Sequence, residues 1–376
     1  MIYLDNAATT KPNQTALEKA AVYATEKYFN PSAPYKAGAD LNAELKNARL
    51  SLLRPIADET VFECILTSCG TEGDNTAVFS YGRRGNVVTT EVEHSAVLSA
   101  VAELKNRGIA EPRYAKVHAD GRVDVEHLLS LVDDKTTLVS VMHVNNETGA
   151  INDINAIAKA VKAKNPRVVF HSDGVQGYGK IPFRLSSDVD LYAVSAHKIG
   201  GLKGVGALFK KKSLAIRPLL YGGGQESGNR SGTENVFGVK VFEYAAEEKF
   251  KTLKEDNERL SLYKRTLCER LDSEFFTILS SENSSPYILY VAGKGLRGEI
   301  VVRVAADRGL LIGTGSACSN NSKRRYSRVA LACGLTEKTA DGVLRISFSP
   351  ETTEEEVVAC SNILNEIAKE YAIKMR

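Results

Sequence analysis

Apolar and polar positions follow two different periods along the chain. Short runs rich in β-branched and aromatic residues recur as "FECILT" (62–67), "NVVTT" (86–90), "TTLVSVMHV" (136–144), "RVVFHSD" (167–173), "DLYAVS" (190–195) and "VGALFKK" (205–211). Between most of them, residues 71–81, 94–107, 124–132 and 153–164 read as helical patterns. The runs predict strands and the intervening segments helices. Strands alternating with helices imply crossover connections, hence an α/β fold with a mostly parallel sheet covered by helices. Such sheets place ligands at the carboxyl ends of their strands. Asp173, Ser195, His197 and Lys198 fall there.

Past the glycine cluster "YGGGQESGNRSGTEN" (221–235) the pattern changes. Residues 234–272 read as one long helix with a single apolar stripe. A strand-like "PYILYVAG" (286–293), a helical "GEIVVRVAADRG" (298–309), a strand "LRISFS" (344–349) and a final helix (354–373) follow. The expected organisation is a large α/β domain over 14–250 and a smaller C-terminal α/β domain over 251–376. The first 13 residues are expected to pack near the smaller one.

Composition narrows the function classes. The chain has 376 residues, 43% hydrophobic and 25% charged, as in ordinary globular proteins. A net charge of +3 is too small to argue for nucleic acid. No apolar run reaches membrane length, and "MIYLDNAATT" is unlike a secretory leader, so a cytoplasmic protein is expected. Cysteines stand at 64, 69, 268, 318, 333 and 360. None of their spacings matches a zinc motif, and a chain this long does not need disulfide staples. No metal site is expected.

The candidate chemistry centres on "LYAVSAHKIGGLKGVGALF" (191–209), a strand that delivers a lysine into a bed of glycines. Lys198 reads either as a solvated loop lysine or as one able to form a Schiff base at a strand end. Ser195 and His197 beside it suit a phosphate. Asp173, closing "VVFHSD" before "GVQ", is a helix cap or a carboxylate for the nitrogen of a pyridine ring, which pyridoxal phosphate requires. Gln176 and Asn145 of "VNNETG" are placed to reach such a ring's phenolic oxygen. "TSCGTEGDNTAV" (67–78) turns at Gly70 and starts a helix near Thr71, giving a plain capped helix or a phosphate site. His94 in "EVEHSAV" is structural or stacks on the ring.

Cys318 lies in "GTGSACSNNSKRRYSR" (313–328), small, polar and basic, hence an exposed loop. The Lys323, Arg324, Arg325 and Arg328 charges there would favour its thiolate. Cys64, Cys268 and Cys360 sit in apolar or helical patterns and read as packing; Cys333 reads either way.

In order and spacing, "YLDNAATT" (3–10), "NPS" (30–32), "TSCGTEGDNTAV", "EVEHSAV", "VNNETG", "SDGVQGYGK", "SAHKIGG", "GGGQESGNRSGTEN", "GSACS" and "LRISFS" together resemble the cysteine desulfurases. These are pyridoxal-phosphate enzymes of the aspartate-aminotransferase fold (fold type I, class V aminotransferase family). The resemblance covers nearly the whole chain. It implies that Lys198 holds pyridoxal 5'-phosphate covalently, Asp173 pairs with the ring nitrogen and His94 stacks on the ring. Gly70, Thr71, Ser195 and His197 would receive the phosphate, joined by Thr233 from the other subunit of a homodimer. Asn145 and Gln176 would sit at the ring oxygen, with Asn145 also near the substrate. Arg345 would clamp the substrate carboxylate, a task for a planar guanidinium. L-cysteine would yield L-alanine and a Cys318 persulfide. That sulfur would pass to a protein acceptor such as an iron–sulfur scaffold or a tRNA-thiolation enzyme.

Some positions depart from the family pattern. Tyr35 replaces the histidine of "NPSSxH", Cys69 a glycine, and Ser227 the arginine of "GGGQERG"; residues 319–328 lack the usual "LEPSHV"-type sequence. None of these belongs to the expected cofactor set, so they bear on the sulfur acceptor. The alternatives are a selenocysteine lyase or another class V enzyme, and a non-catalytic docking module. Retention of Lys198, Asp173, His94, Cys318 and Arg345 together speaks against the last.

Overall fold

The computed structural model describes residues 1–315 and 326–374. Its strands are β1 (Ile2–Tyr3), β2 (Phe62–Thr67), β3 (Asn86–Thr90), β4 (Glu111–Ala115), β5 (Thr136–Ser140) and β6 (Val169–Asp173). Then come β7 (Leu191–Ser195), β8 (Gly206–Lys211), β9 (Phe276–Ile278), β10 (Ile288–Gly293), β11 (Leu310–Leu311) and β12 (Val343–Ser347). Seven of them form one sheet in the order β2-β8-β7-β6-β5-β3-β4. The pairs from β4 through β7 are parallel, as expected. β8 runs antiparallel to both of its neighbours. The link from β7 to β8 holds only the short Ala196–Lys198 turn, which cannot make the long crossover a parallel pair needs.

β6 and β7 are buried along their whole length; β7 reads as an apolar run, while β6 opens apolar and ends on the buried polar residues His171, Ser172 and Asp173. β4, "EPRYA", is an edge strand whose proline and charges hid it from the apolar pattern. The apolar core around this sheet gathers side chains from Ala16 to Ala246. Burying each valine or phenylalanine there contributes roughly 1.5–3 kcal/mol.

A second sheet, β12-β10-β9, is antiparallel, and β1 pairs with β11 in a two-stranded parallel ribbon. Leu4 and Ala7 therefore share an apolar cluster with residues from Leu260 to Ala368. The single helix expected over 234–272 is instead two, Val236–Lys251 and Leu253–Arg270. The first buries Val239, Phe242 and Ala246 in the large core, while the second buries Leu260 and Leu267 in the C-terminal cluster. One straight helix cannot serve both, so the chain turns at Thr252. Among the described residues no helix is long and apolar enough to cross a membrane.

Candidate active site

The ends of β6 and β7 open on a cavity of about 230 Å³. Asp173 closes β6, 4% exposed, and its Oδ1 accepts the Val175 amide at 2.9 Å. Burial pushes its carboxyl upward, opposed by nearby His94. Ser195 closes β7, 4% exposed, and its Oγ has no hydrogen-bond partner among the described residues. The chain then makes a tight turn, Ala196–Lys198. Gly200 (φ +89°) allows the reversal that follows. At Gly206 a Cβ would lie 2.7 Å from both the Cys69 carbonyl carbon and the Val194 oxygen, so only glycine lets β8 approach.

Lys198 Nζ donates to the carbonyl oxygens of Ala7 and Ala8, both at 2.7 Å. It is part-buried and lines the cavity. His197 is held at 3.1 Å by the Thr9 hydroxyl; burial, then Lys198, lowers its imidazole to about 4, so it is neutral near pH 7. His94 caps the helix Ser95–Asn106, its Nδ1 accepting from the Ala96 amide at 3.2 Å. Burial also lowers its pKa. The helix Gly70–Tyr81 starts at the cavity with Gly70 and Thr71, so its first free amides lie there. Gln176, 3% exposed, lines it too.

Arg345 comes from β12 and is 2% exposed. Its Nη2 donates to Asp5 Oδ1 at 2.8 Å and its Nη1 to the Asn146 oxygen at 2.9 Å. Its Nε has no partner among the described residues.

Two expected positions lie elsewhere. Asn145 is fully buried and does not line the cavity; its Oδ1 accepts the Glu147 and Thr148 amides, and its Nδ2 donates to the Val92 oxygen. The amide is consumed in shaping the turn, and the neighbouring Asn146 lines the cavity instead. Thr233 is exposed and outside the cavity of its own chain. Cys318, with Lys323, Arg324 and Arg325, lies outside the described residues. Cys69, expected apart from the cofactor set, does line the cavity.

Sequence reasoning missed three ionisable groups withdrawn from solvent: Asp74 and Glu93 are buried, and Glu147 is half-buried. Asp74 lines the cavity, 1% exposed, with Oδ1 3.4 Å from His171 Nε2. It stands four residues after Gly70, on the same helix face, a spacing that could have revealed it. Glu93 accepts from the Met142 amide and the Thr90 hydroxyl, and burial raises it to about 8. Glu147 accepts from Ser327 at 2.7 Å and is raised to about 7 by burial.

The donor set fits pyridoxal phosphate. A buried hydroxyl without a partner and a helix N-terminus suit a phosphate, a buried carboxyl suits a ring nitrogen, and a cavity lysine suits an aldehyde. Among the described residues no metal-binding cluster of His, Cys, Asp and Glu is present.

Residues 2–359 match the family model "Aminotransferase class-V". The chain is 34% identical to a cysteine desulfurase of Nostoc sp., over 98% of this chain and 93% of that one. It is 34% identical to the cysteine desulfurase NifS of Azotobacter vinelandii, over 95% and 90%. Among solved structures, a NifS-like protein superposes with a TM-score of 0.90 at 33% identity, covering 99% of each chain. A NifS-like protein from Rickettsia africae gives 0.88 at 27% identity, covering 98% and 99%.

Proposed function

The chain belongs to the class-V aminotransferase family and is a pyridoxal-phosphate-dependent cysteine desulfurase, and from that premise we propose the roles of its residues. Bound pyridoxal phosphate supplies an electron-withdrawing ring that weakens the bonds at the α-carbon of L-cysteine. Lys198 holds the cofactor and moves a proton at the substrate α-carbon. Asp173 keeps a proton on the ring nitrogen, whose positive charge offsets the burial that raises its carboxyl. His94 packs on the ring, and Gln176 donates to the phenolic oxygen. Gly70, Thr71, Ser195 and His197 receive the phosphate. Arg345 takes the substrate carboxylate, with Asn146 beside it.

Cys318 then accepts the sulfur. Its thiolate attacks the substrate sulfur and the Cβ–S bond breaks. The electron pair and a proton end on Cβ, leaving alanine and a protein persulfide. A persulfide needs an acceptor, so we assign transfer to a protein such as an iron–sulfur scaffold or a thiolation enzyme. A cytoplasmic homodimer completes the reading: the glycine-rich segment exposes Tyr221 (83%) and Leu220 together with Thr233, a surface for a second copy that brings Thr233 to the phosphate. The separate apolar clusters support domains divided near residue 250, with 1–13 on the C-terminal one.

The observation that carries this reading is the meeting of Lys198, Asp173, His94, Ser195 and Thr71 on one cavity. The test is incubation of the loaded protein with L-cysteine. Alanine and a persulfide that maps to Cys318 are expected, and Cys318→Ser should bind cysteine without forming the persulfide. Full persulfide labelling of Cys318→Ser would remove Cys318 from this role.

A further inference from the structure

Lys180 is a second buried lysine near the cavity, and nothing in the reaction above employs it. It lies in the turn after β6 and is 3% exposed. Its Nζ donates to Gln176 Oε1 at 2.7 Å and sits 5.8 Å from the centre of the Tyr287 ring. Gln176 Nε2 in turn donates to the Ala7 oxygen at 2.8 Å, the same oxygen that accepts from Lys198. A buried lysine without a carboxylate partner needs a reason. The charged groups around it, Lys198, Lys249 and Arg345, are all cations. Burial, and then these neighbours, hold its amine well below the usual lysine range.

We propose that Lys180 is a positioning residue that locks the Gln176 carboxamide in one of its two orientations, so that the NH2 edge faces the cofactor cavity. An amide can rotate by half a turn with almost no change in shape, so its direction is set by its partners. The reversed amide would set its oxygen against the Ala7 carbonyl, a mismatch whatever the charge on Lys180, and would turn its NH2 toward the Lys180 amine, a donor only while it is protonated. At least the Ala7 pair would become mismatched, between groups that are each only 3% exposed. In the observed orientation one N–H goes to Ala7 and the second remains for the cavity that Gln176 lines. A phenolic oxygen bearing negative charge needs that donor. The same orientation ties the N-terminal segment, whose carbonyls hold Lys198, to the turn after β6.

The inference rests on the placement of Gln176 at the ring oxygen, and its test separates the two. Visible absorbance of the loaded protein is titrated against pH for wild type, Lys180→Met, Gln176→Met and the double variant. The dissociation constant of pyridoxal phosphate is measured alongside. A donor at the phenolic oxygen stabilises its charge; without it, that oxygen grips the proton of the lysine linkage harder. Each single variant should therefore raise the titration midpoint by about one pH unit and weaken cofactor binding about tenfold. The double variant should add little, because both changes remove one interaction.

A midpoint that moves in Gln176→Met but not in Lys180→Met overturns the role of Lys180. Movement in neither overturns the placement of Gln176, and the inference with it. A merely structural lysine would lower the melting temperature of Lys180→Met without moving its midpoint. Should Lys180→Met fail to fold, Lys180→Gln decides, because it retains an N–H donor. It should keep the wild-type midpoint, and a shift as large as that of Gln176→Met overturns the proposal.

Discussion

The part of the cavity made by the ends of β6 and β7 and the part made by the N-terminal segment and β12 are assembled in different ways. In the first, Asp173, Gln176, Ser195 and Lys198 come from adjacent parallel strands close in sequence. In the second, Asp5 reaches Arg345 across 340 residues, and Ala7 reaches Lys198 across 191. The first part leaves polar atoms in hand: the Ser195 hydroxyl has no partner among the described residues. The second holds two nitrogens of its cation with a carboxylate and a carbonyl and leaves the Arg345 Nε without a partner among the described residues. The contrast separates a surface kept open for a ligand from a frame that fixes where the ligand's far end lies. Lys198 joins the two, since it stands on the first and bonds to the second.

Changes in the strand-end part should have the largest effects. Lys198→Ala should lower alanine formation at least about a thousandfold, because both covalent attachment and proton movement are lost. Measured alanine production within tenfold of wild type would detach the chemistry from β7. Asp173→Asn should keep cofactor binding but slow turnover about a hundredfold, as a neutral amide cannot hold the ring nitrogen protonated. Single-turnover kinetics reads that loss directly.

Buried Glu93 and half-buried Glu147 give a pH signature in the cofactor-free protein. Glu93 and Glu147 are raised to about 8 and about 7, so the folded chain keeps protons that the unfolded chain has released. Fewer protons bound on unfolding means stability falls as pH rises through these values. His143 and His171, lowered by burial to about 3, act oppositely but only below their ordinary value of 6.5. Lys180, held well below the usual lysine range, also opposes them, but between about pH 6.5 and 8 Asp74, Glu93 and Glu147 outnumber it, and the melting temperature should fall. Glu93→Gln should remove about 2 kcal/mol of that fall. A profile as steep in the variant as in wild type would show Glu93 ionised throughout.

In the second part, Arg345→Lys should raise KM for cysteine about tenfold and change kcat less. A point charge replaces the planar fork, while the contact is made in ground and transition states alike. An equal loss in kcat would mean that Arg345 acts on the reacting atoms.

The same contrast explains what the sequence disclosed. β2, β3, β6 and β7 were legible because their burial leaves short clusters of β-branched and aromatic residues, such as Val87 and Val88 or Val169 and Phe170, and ligands at strand ends follow from topology alone. β4 was illegible because an edge strand carries Glu111, Pro112 and Arg113. β1 and β11 are two residues each, too short for any period, and exist only through their pairing. Asn145 and Asn146 are neighbours of the same type, and only the fold tells which one shapes the turn and which faces the cavity. Asp74, Glu93, Glu147 and Lys180 escaped notice because a polar residue in a sequence reads as solvated until its burial is known.

The central claim is that the lysine delivered by β7 is the one that binds the cofactor, although Lys180 lies nearby. Borohydride reduction of the loaded protein, followed by proteolysis and mass mapping of the modified peptide, tests it most directly. The account predicts the phosphopyridoxyl group on Lys198 alone. Its presence on Lys180, or on any other lysine in its place, would contradict it.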